Sequence, residues 1–505
     1  MKTELTMDDI TYRPSCELKK NDFLPIGVIL LYCLAYASIR LLISPSMELD
    51  EAEQFLKGFA LSLGYSNQPP LYSWIVKIVS MGFGLNIITL VAVKYCLIFF
   101  FYIAFYHTVR SVWNVKESLL ITGSLLVFPS FAYEFNRDLS HTVLATLMAS
   151  LTCLIYFRLL KKRKTLFYLL IGGTVGLGVL SKYNFVFFAA ALVLASVSFR
   201  EGRRVLFDRR SILAIAICCL VLLPHLLWLK ENNFLPFSYA MSESGAGAVR
   251  SCISIETLSL LASSYSGVLI FILVFGIFFR RHVFLEVKEA DPEMRAFRWI
   301  ALYGMAIPLI VILNLRTAHF SERWLAPVLF TLPPALFSIT GLAVNNKRSK
   351  VFGLFCIFIA FGVIAARVLI GFMPDTVGKV ERIHIPFREI SLQLAAALRQ
   401  EGIHDFRQVA VISDSEHIAA NLMVWMPGTK FVPFQSVHPP QGSDLRKNMV
   451  IVWNASKRGR DIPKEFADRF PAAVPLRPIE APFIRAKKFP PYILGAAIIP
   501  HRQAL

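Results

Sequence analysis

Long apolar blocks alternate with short polar connections over the first three-quarters of this chain. Runs of that length with few charges can cross a bilayer as helices, because a helix satisfies its own backbone polar groups in lipid. The pattern predicts eleven spans, at 23–43, 88–109, 118–133, 139–157, 165–181, 185–199, 211–229, 258–279, 299–315, 324–343 and 351–372. Beyond about Pro374 the pattern changes to the alternation of a water-facing fold. Residues 386–401 carry helical periodicity, and Gly402 is placed to end that helix. Gln408–Ser413 and Met449–Trp453 read as short buried strands, with a helix over Glu416–Trp425 between them. The fold class is therefore a polytopic α-helical membrane protein with a small C-terminal α/β extracytoplasmic domain. Its predicted parts are an N-terminal tail (1–22), a membrane part (23–373) with a large outer loop (44–87), and the C-terminal domain (374–505).

Composition supports this reading and adds an orientation. The chain has 505 residues, of which 55% are hydrophobic, and its mean hydropathy is +0.56. Soluble domains rarely reach that apolar fraction. The net charge of +19 is unevenly placed. One alternate set of connections holds 24 Lys and Arg, the other only 8. Positive charge stays inside, so the N-terminus is expected in the cytoplasm and the 44–87 loop and C-terminal domain outside. The basic excess reads as an orientation signal with affinity for membrane lipid, and no feature suggests nucleic acid. No cleavable signal peptide is expected. Eight cysteines, mostly inside spans, form no disulfide framework and no zinc spacing.

Threading the spans gathers the unusual polar residues on the outer face. The first loop supplies Asp50, Glu51 and Glu53, then Gln68 and Tyr72 after a proline-stiffened stretch. The second outer turn supplies Arg137 and Asp138, with His141 one helical turn on, and the third supplies Lys182 and Tyr183. Arg316, His319, Glu322 and Arg323 follow before Trp324-Leu325-Ala326-Pro327. Carboxylates and cations around one membrane face suit transfer of a sugar from a polyprenyl phosphate. A carboxylate accepts the acceptor's proton, and cations offset the charge that develops on the leaving phosphate. Each residue also has a plainer reading. Asp50 and Glu51 could sit in the first turn of an interfacial helix, Asp138 could cap the next span, His141 could be a packed histidine, and Lys182 could snorkel.

At these residues the chain resembles the membrane-embedded GT-C glycosyltransferases of the protein mannosyltransferase and aminoarabinose transferase type. Within that group it is most similar to the branch containing the rhizobial lipopolysaccharide galacturonosyltransferases. The matching pieces are Asp50-Glu51-Ala52-Glu53, Asn67-Gln68-Pro69-Pro70-Leu71-Tyr72, Asn136-Arg137-Asp138 running into His141-Thr142, Leu180-Ser181-Lys182-Tyr183, Pro224-His225-Leu226-Leu227-Trp228 and Arg323-Trp324-Leu325-Ala326-Pro327. The resemblance implies an inverting transfer from a polyprenyl-phosphate sugar donor to a lipopolysaccharide, lipid A or other envelope glycolipid or polysaccharide acceptor. The reaction would run on the periplasmic face of a bacterial inner membrane. It makes Asp50 the catalytic base, Asp138 the second acidic residue and Lys182 a phosphate or sugar contact. Glu51, Gln68, Tyr72, Arg137, His141, Tyr183, Arg316 and Arg323 complete the expected substrate-binding set. The resemblance does not say which sugar moves or onto what. No ligand spacing compels a metal, and a divalent cation stays an open requirement.

The rival from another class is a transporter or flippase of a lipid-linked sugar, which Lys94 and Arg40 would suit. The polar groups concentrate instead at one end of the spans, and no mirrored broken helices appear. A non-catalytic assembly protein would account for the tail, read here as a packing module over the outer loops, but not for the converging Asp, Lys and Arg residues.

Overall fold

The computed structural model describes residues 22–65, 67–238, 255–279, 291–315, 320–340, 347–434 and 448–499. Among them six helices are long and apolar enough to span a bilayer: Phe23–Ile43, Ile87–Arg110, Ser140–Lys161, Ser211–Glu231, Pro292–Asn314 and Lys347–Phe372. Three bent pairs raise the number to nine if each counts as one span: Val115–Val127 with Ser130–Arg137, Phe185–Ser198 with Arg200–Leu206, and Leu258–Ser264 with Ser266–Phe279. Each expected span falls largely on helix over its described residues, residues 341–343 lying outside them, yet six to nine helices are long enough to span where the sequence pattern predicts eleven. The difference has local causes. Thr165–Ser181 is a short apolar helix of 17 residues. The 324–343 segment breaks between Ala326–Leu329 and Leu332–Thr340, where Pro333 and Pro334 remove backbone donors. The loop 44–87 is itself helical over Leu49–Lys57 and Leu71–Phe83.

The chain divides into two compact units. The first comprises residues 1–34, 62–72 and 94–362, and the second 35–61, 73–93 and 363–505. Aromatic packing fills the first. Phe101 lies against Phe131 and Phe135, and Phe128 stacks on Phe271 at 4.6 Å between centroids.

The second unit joins the first loop to the C-terminal domain. That domain carries a six-stranded sheet of β1 (Val409–Ser413), β2 (Lys430–Pro433), β3 (Asn448–Asn454), β4 (Val474–Pro475), β5 (Ile479–Ala481) and β6 (Tyr492–Ile499). The order is β2-β1-β3-β6-β4, with β5 also on β6. β1 is parallel to β2 and β3, whereas β6 runs antiparallel to β3, β4 and β5. Alternation along each strand feeds two cores. Val409, Val411, Val450 and Val452 face helices Phe387–Gln400 and Glu416–Trp425, while Ala410, Ile412, Ile451 and Trp453 face Phe466. The helix at 387–400 ends as its sequence indicates: Gly402 adopts φ +81°, and Ile403 N–H donates back to the Leu398 carbonyl.

Trp453 and Gly495 are direct partners across β3 and β6. A Cβ at Gly495 would lie 2.1 Å from the indole. The ring needs that space, because its Nε1–H donates to the Gly459 carbonyl at 3.1 Å. Gly495→Ala should therefore cost about 1–3 kcal/mol through overpacking. Hydrogen exchange of the full-length protein should show faster exchange over residues 448–499. Unchanged protection there would refute the steric argument.

Candidate active site

In the second unit the short segment 44–51 is fixed from several sides. Arg40, at the end of Phe23–Ile43, donates from Nη1 to the Ser44 carbonyl at 2.9 Å and from Nη2 to the Ser46 carbonyl at 2.7 Å. The same guanidinium forms a two-armed ion pair with Glu51. The C-terminal domain holds the next residues. Ser46 Oγ donates to the Ile385 carbonyl at 2.6 Å, Met47 N–H donates to Asn421 Oδ1 at 2.8 Å, and His417 Nε2 meets the Met47 carbonyl at 2.8 Å. Since that carbonyl can only accept, His417 carries its proton on Nε2.

Helix Leu49–Lys57 starts from this anchored segment with a capping box between Glu48 and Glu51. Glu48 is also paired with Arg367 at 3.1 Å, and Arg367 with Glu381 at 2.8 Å. Arg40, Glu48, Glu51 and Arg367 are all buried. Asp50 stands between the two anchored glutamates, half-buried, in the first turn. Its backbone is thereby held in place, and its carboxylate lies where a helix N-terminus favours negative charge. Further along the helix Glu53 pairs with Lys57. Burial, reinforced by Glu53 and opposed by Lys57, holds the nearby Glu416 carboxyl above the usual carboxylate range.

In the first unit a second cluster forms around the ends of four helices. Lys182 Nζ donates to Thr142 Oγ1 at 2.7 Å, and His141 Nδ1 lies 3.2 Å from the Ser181 carbonyl. Tyr72 packs on the His141 ring at 5.4 Å. Tyr183 Oη meets His225 Nε2 at 3.1 Å, while His225 Nδ1 meets the Leu63 carbonyl at 2.7 Å. The carbonyl again sets the tautomer: Nδ1 carries the proton, so Nε2 accepts from the Tyr183 hydroxyl in the neutral ring. Burial pushes the Tyr183 phenol up, which keeps it protonated as that donor. Trp228 also stacks against the His225 ring at 5.8 Å.

Arg137 and Asp138 lie at the end of the second arm of a helix pair bent by 88° at 128–129, an arm that starts with a π-type turn at Ser130–Glu134. Their side chains are 3.9 Å apart. Leu139, directly after them, is buried with φ +70°. A left-handed leucine is uncommon, and such strain persists only where its surroundings hold it. Here it turns the chain from the bend into helix Ser140–Lys161 and sets where Asp138 sits.

The predicted site residues are thus placed as follows. Tyr72, His141, Lys182 and Tyr183 come together with Thr142 and His225, and Arg137 adjoins Asp138. Gln68 is half-buried and Arg323 is exposed. Arg316 lies outside the described residues. Glu51 has a different place from the substrate contact expected of it: it is buried, held by Arg40, and accepts from the Glu48 N–H at 2.8 Å. Arg40, a feature that suited transport, is the other half of that pair. His225 was legible only as part of Pro224-His225-Leu226-Leu227-Trp228, without a role. Glu322 was legible as an outer-face polar residue, and the structure makes it an anchor. Its carboxylate accepts from Ser130 Oγ at 2.7 Å and from Gly267 N–H at 3.1 Å, at the start of helix Ser266–Phe279. Among the described residues, no group of three His, Cys, Asp or Glu side chains is placed to hold a metal ion.

Comparison with known proteins gives this architecture a class. The family model described as dolichyl-phosphate-mannose-protein mannosyltransferase matches residues 67–228, the stretch that holds the second cluster. The crystal structure of ArnT from Cupriavidus metallidurans bound to undecaprenyl phosphate shares the fold, with a TM-score of 0.57 at 11% identity, covering 95% of this chain and 98% of that one. The fold is that of a membrane-embedded GT-C glycosyltransferase, and the protein is a multi-pass membrane enzyme. The lipopolysaccharide core galacturonosyltransferase RgtB of Rhizobium johnstonii is 31% identical over 450 residues, covering 86% of this chain and 88% of the relative. RgtA of the same organism, also a lipopolysaccharide core galacturonosyltransferase, is 27% identical over 451 residues, covering 86% and 87%. The chain belongs to the glycosyltransferase family that includes these two proteins.

The buried pair at the start of helix Leu49–Lys57 is open to test. Arg40→Leu leaves the Glu51 carboxylate without its buried counter-charge and should cost on the order of 3–5 kcal/mol. Thermal unfolding of the detergent-purified protein should show a lowered midpoint, and sugar transfer should fall with it. An unaltered midpoint would mean that the pair does not anchor the segment.

Proposed function

We propose that this enzyme transfers a galacturonosyl residue from a polyprenyl-phosphate donor to the core of lipopolysaccharide, on the periplasmic face of a bacterial inner membrane. The observation that carries the reading is the likeness to RgtB at 31% identity over 86% of this chain. The polyprenyl carrier is inferred from the family resemblance together with a fold shared with a transferase crystallised with undecaprenyl phosphate. The outward orientation rests on the charge asymmetry of the connections. A transporter reading finds no support in these likenesses.

In the proposed reaction an acceptor hydroxyl attacks the anomeric carbon from the face opposite the phosphate. The carbon–oxygen bond to the polyprenyl phosphate breaks as the new glycosidic bond forms, which inverts the configuration. Asp50 takes the hydroxyl proton as general base. It suits the task because it is half-buried on a backbone fixed by Arg40, Asn421 and His417. Lys182 balances the charge that grows on the leaving phosphate, and its bond to Thr142 Oγ1 aims the ammonium. Arg323 and Arg316 add positive charge for the same phosphate. Tyr183, held by His225, contacts the sugar, and Tyr72 and His141 add to the same cluster. Gln68, Arg137 and Asp138 bind donor or acceptor hydroxyls. Glu51 serves by fixing the helix that carries Asp50.

Mass spectrometry of lipopolysaccharide from cells with and without the gene should reveal the loss of a single hexuronate from the core. An unchanged core would reject the acceptor, and loss of a neutral hexose would reject the sugar. Asp50→Asn should fold and insert normally, yet abolish transfer by the purified enzyme supplied with polyprenyl-phosphate galacturonate. Retained transfer would remove Asp50 from the base role. Lys182→Ala should lower kcat on the order of 10²-fold, with partial recovery in Lys182→Arg. A rise in KM alone would make Lys182 a ground-state contact only.

A further inference from the structure

A cavity of about 290 Å³ lies within the first unit, among helices Ser140–Lys161, Thr165–Ser181, Phe185–Ser198 and Ser211–Glu231. Its walls are apolar and include Leu159, Ile171, Val175 and Ala189. The polar atoms of its lining are turned to other partners. Ser196 Oγ bonds Tyr156 Oη at 2.7 Å, and Tyr168 Oη donates to the Val205 carbonyl at 3.2 Å. A slot of this chemistry offers water nothing to bond. Val193 and Ile215 on its lining are 48% and 63% exposed, so it opens on the lipid-facing surface of the bundle.

One end of the slot is crowned with positive charge. The connections 158–164 and 200–210 hold ten Lys and Arg against two acidic residues. Both acids are already paired: Asp208 with Arg210 at 2.8 Å, and Glu201 with Arg295 at 3.1 Å. Arg210 also lies over the Tyr168 ring at 5.3 Å, on the cavity wall. Lys162, Lys164 and Arg204 remain exposed beside it. From Ser211 the lining runs seven residues down its helix to Cys218, roughly 10 Å into the bundle.

We propose that this slot binds one acyl chain of an anionic glycerophospholipid, its phosphate held by the cations of the 158–164 and 200–210 connections. The chain fills an apolar space that opens to the bilayer, and the excess of positive charge above it, which remains after Lys161 pairs with Glu293 at 3.2 Å and Arg163 with Asp208 at 3.6 Å, selects an anionic headgroup. A donor polyprenyl phosphate is the less suitable occupant. Along helix Thr165–Ser181 the slot runs from Tyr168, beside the cations, to Val175, and Lys182, assigned to the donor phosphate, follows the other end of the helix, about 20 Å from Tyr168. The headgroup of this second lipid site thus lies at the opposite end of the helix from the proposed reaction, with the acyl chain pointing toward it.

The test is native mass spectrometry of the full-length protein in detergent, titrated with phosphatidylglycerol, phosphatidylcholine or undecaprenyl phosphate. Phosphatidylglycerol should bind roughly tenfold more tightly than phosphatidylcholine. Ala189→Phe, which fills the slot, should weaken phosphatidylglycerol about tenfold, and the milder Ala189→Leu should weaken it less. The combined Lys162→Gln, Lys164→Gln and Arg204→Gln variant should erase the preference between the two phospholipids. Lys182→Ala should leave phosphatidylglycerol binding unchanged. Equal binding of the two phospholipids, undiminished binding by both Ala189 variants, or undecaprenyl phosphate displacing phosphatidylglycerol from the slot would each overturn the proposal.

Discussion

A buried network of charge fixes the start of helix Leu49–Lys57, and the geometry of the candidate base depends on it. Arg40 faces Glu51, and Arg367 bridges Glu48 and Glu381. Removing such charges from water is costly, and the cost is offset only when each is met by an opposite charge and good hydrogen bonds. Here those conditions are met: Arg40 also serves the Ser44 and Ser46 carbonyls, and Glu51 takes the Glu48 N–H. Asp50 lies with Leu49 between the two anchored glutamates. Glu48 and Glu51 are both committed to structure, whereas the Asp50 carboxylate in the same first turn is half-buried.

The two clusters use the same device with different parts. In the second unit carboxylates and guanidiniums hold a backbone segment. In the first, backbone carbonyls orient histidines: Ser181 meets His141, and Leu63 meets His225. A carbonyl has no proton to give, so it determines which ring nitrogen carries hydrogen and passes that choice to Tyr183. The left-handed Leu139 adds a mechanical version of the same control, directly after Asp138, whose own N–H donates to the Glu134 carbonyl at 2.9 Å.

Much of the fold could be read from pattern alone, because membrane helices and buried strands leave periodic signatures. The first span matches its helix end for end, Phe23–Ile43. In the tail the helix stop at Gly402, strand β1 and helix Glu416–Trp425 all follow the sequence reading. Strand β6 and the short β4 and β5 did not show: β4 and β5 have only two and three residues, too few for an alternation to register, and β6 is a near-continuous apolar run without alternation. The bend at 128–130 has a local mark in Pro129, which removes a backbone donor, whereas that near Tyr265 has no proline or glycine at the break itself. For the site, residue types near the membrane face could be read, but their partners could not. Glu51 and Asp50 are adjacent acids in one motif, and only Arg40 and Arg367, reached through the fold, separate anchor from candidate base.

The hold of the tail on residues 46 and 47 also sets an order of events during synthesis. Ser46 and Ile385 are 339 positions apart, and Met47 and Asn421 are 374 apart. At about 5–20 residues per second, the early loop emerges on the order of tens of seconds before its fasteners exist. Until residue 421 has been made, the nascent chain has Arg40 but lacks the tail's share of the contacts that fix residues 46 and 47. A chain stopped before that point would leave the approach to helix Leu49–Lys57 held from one side only.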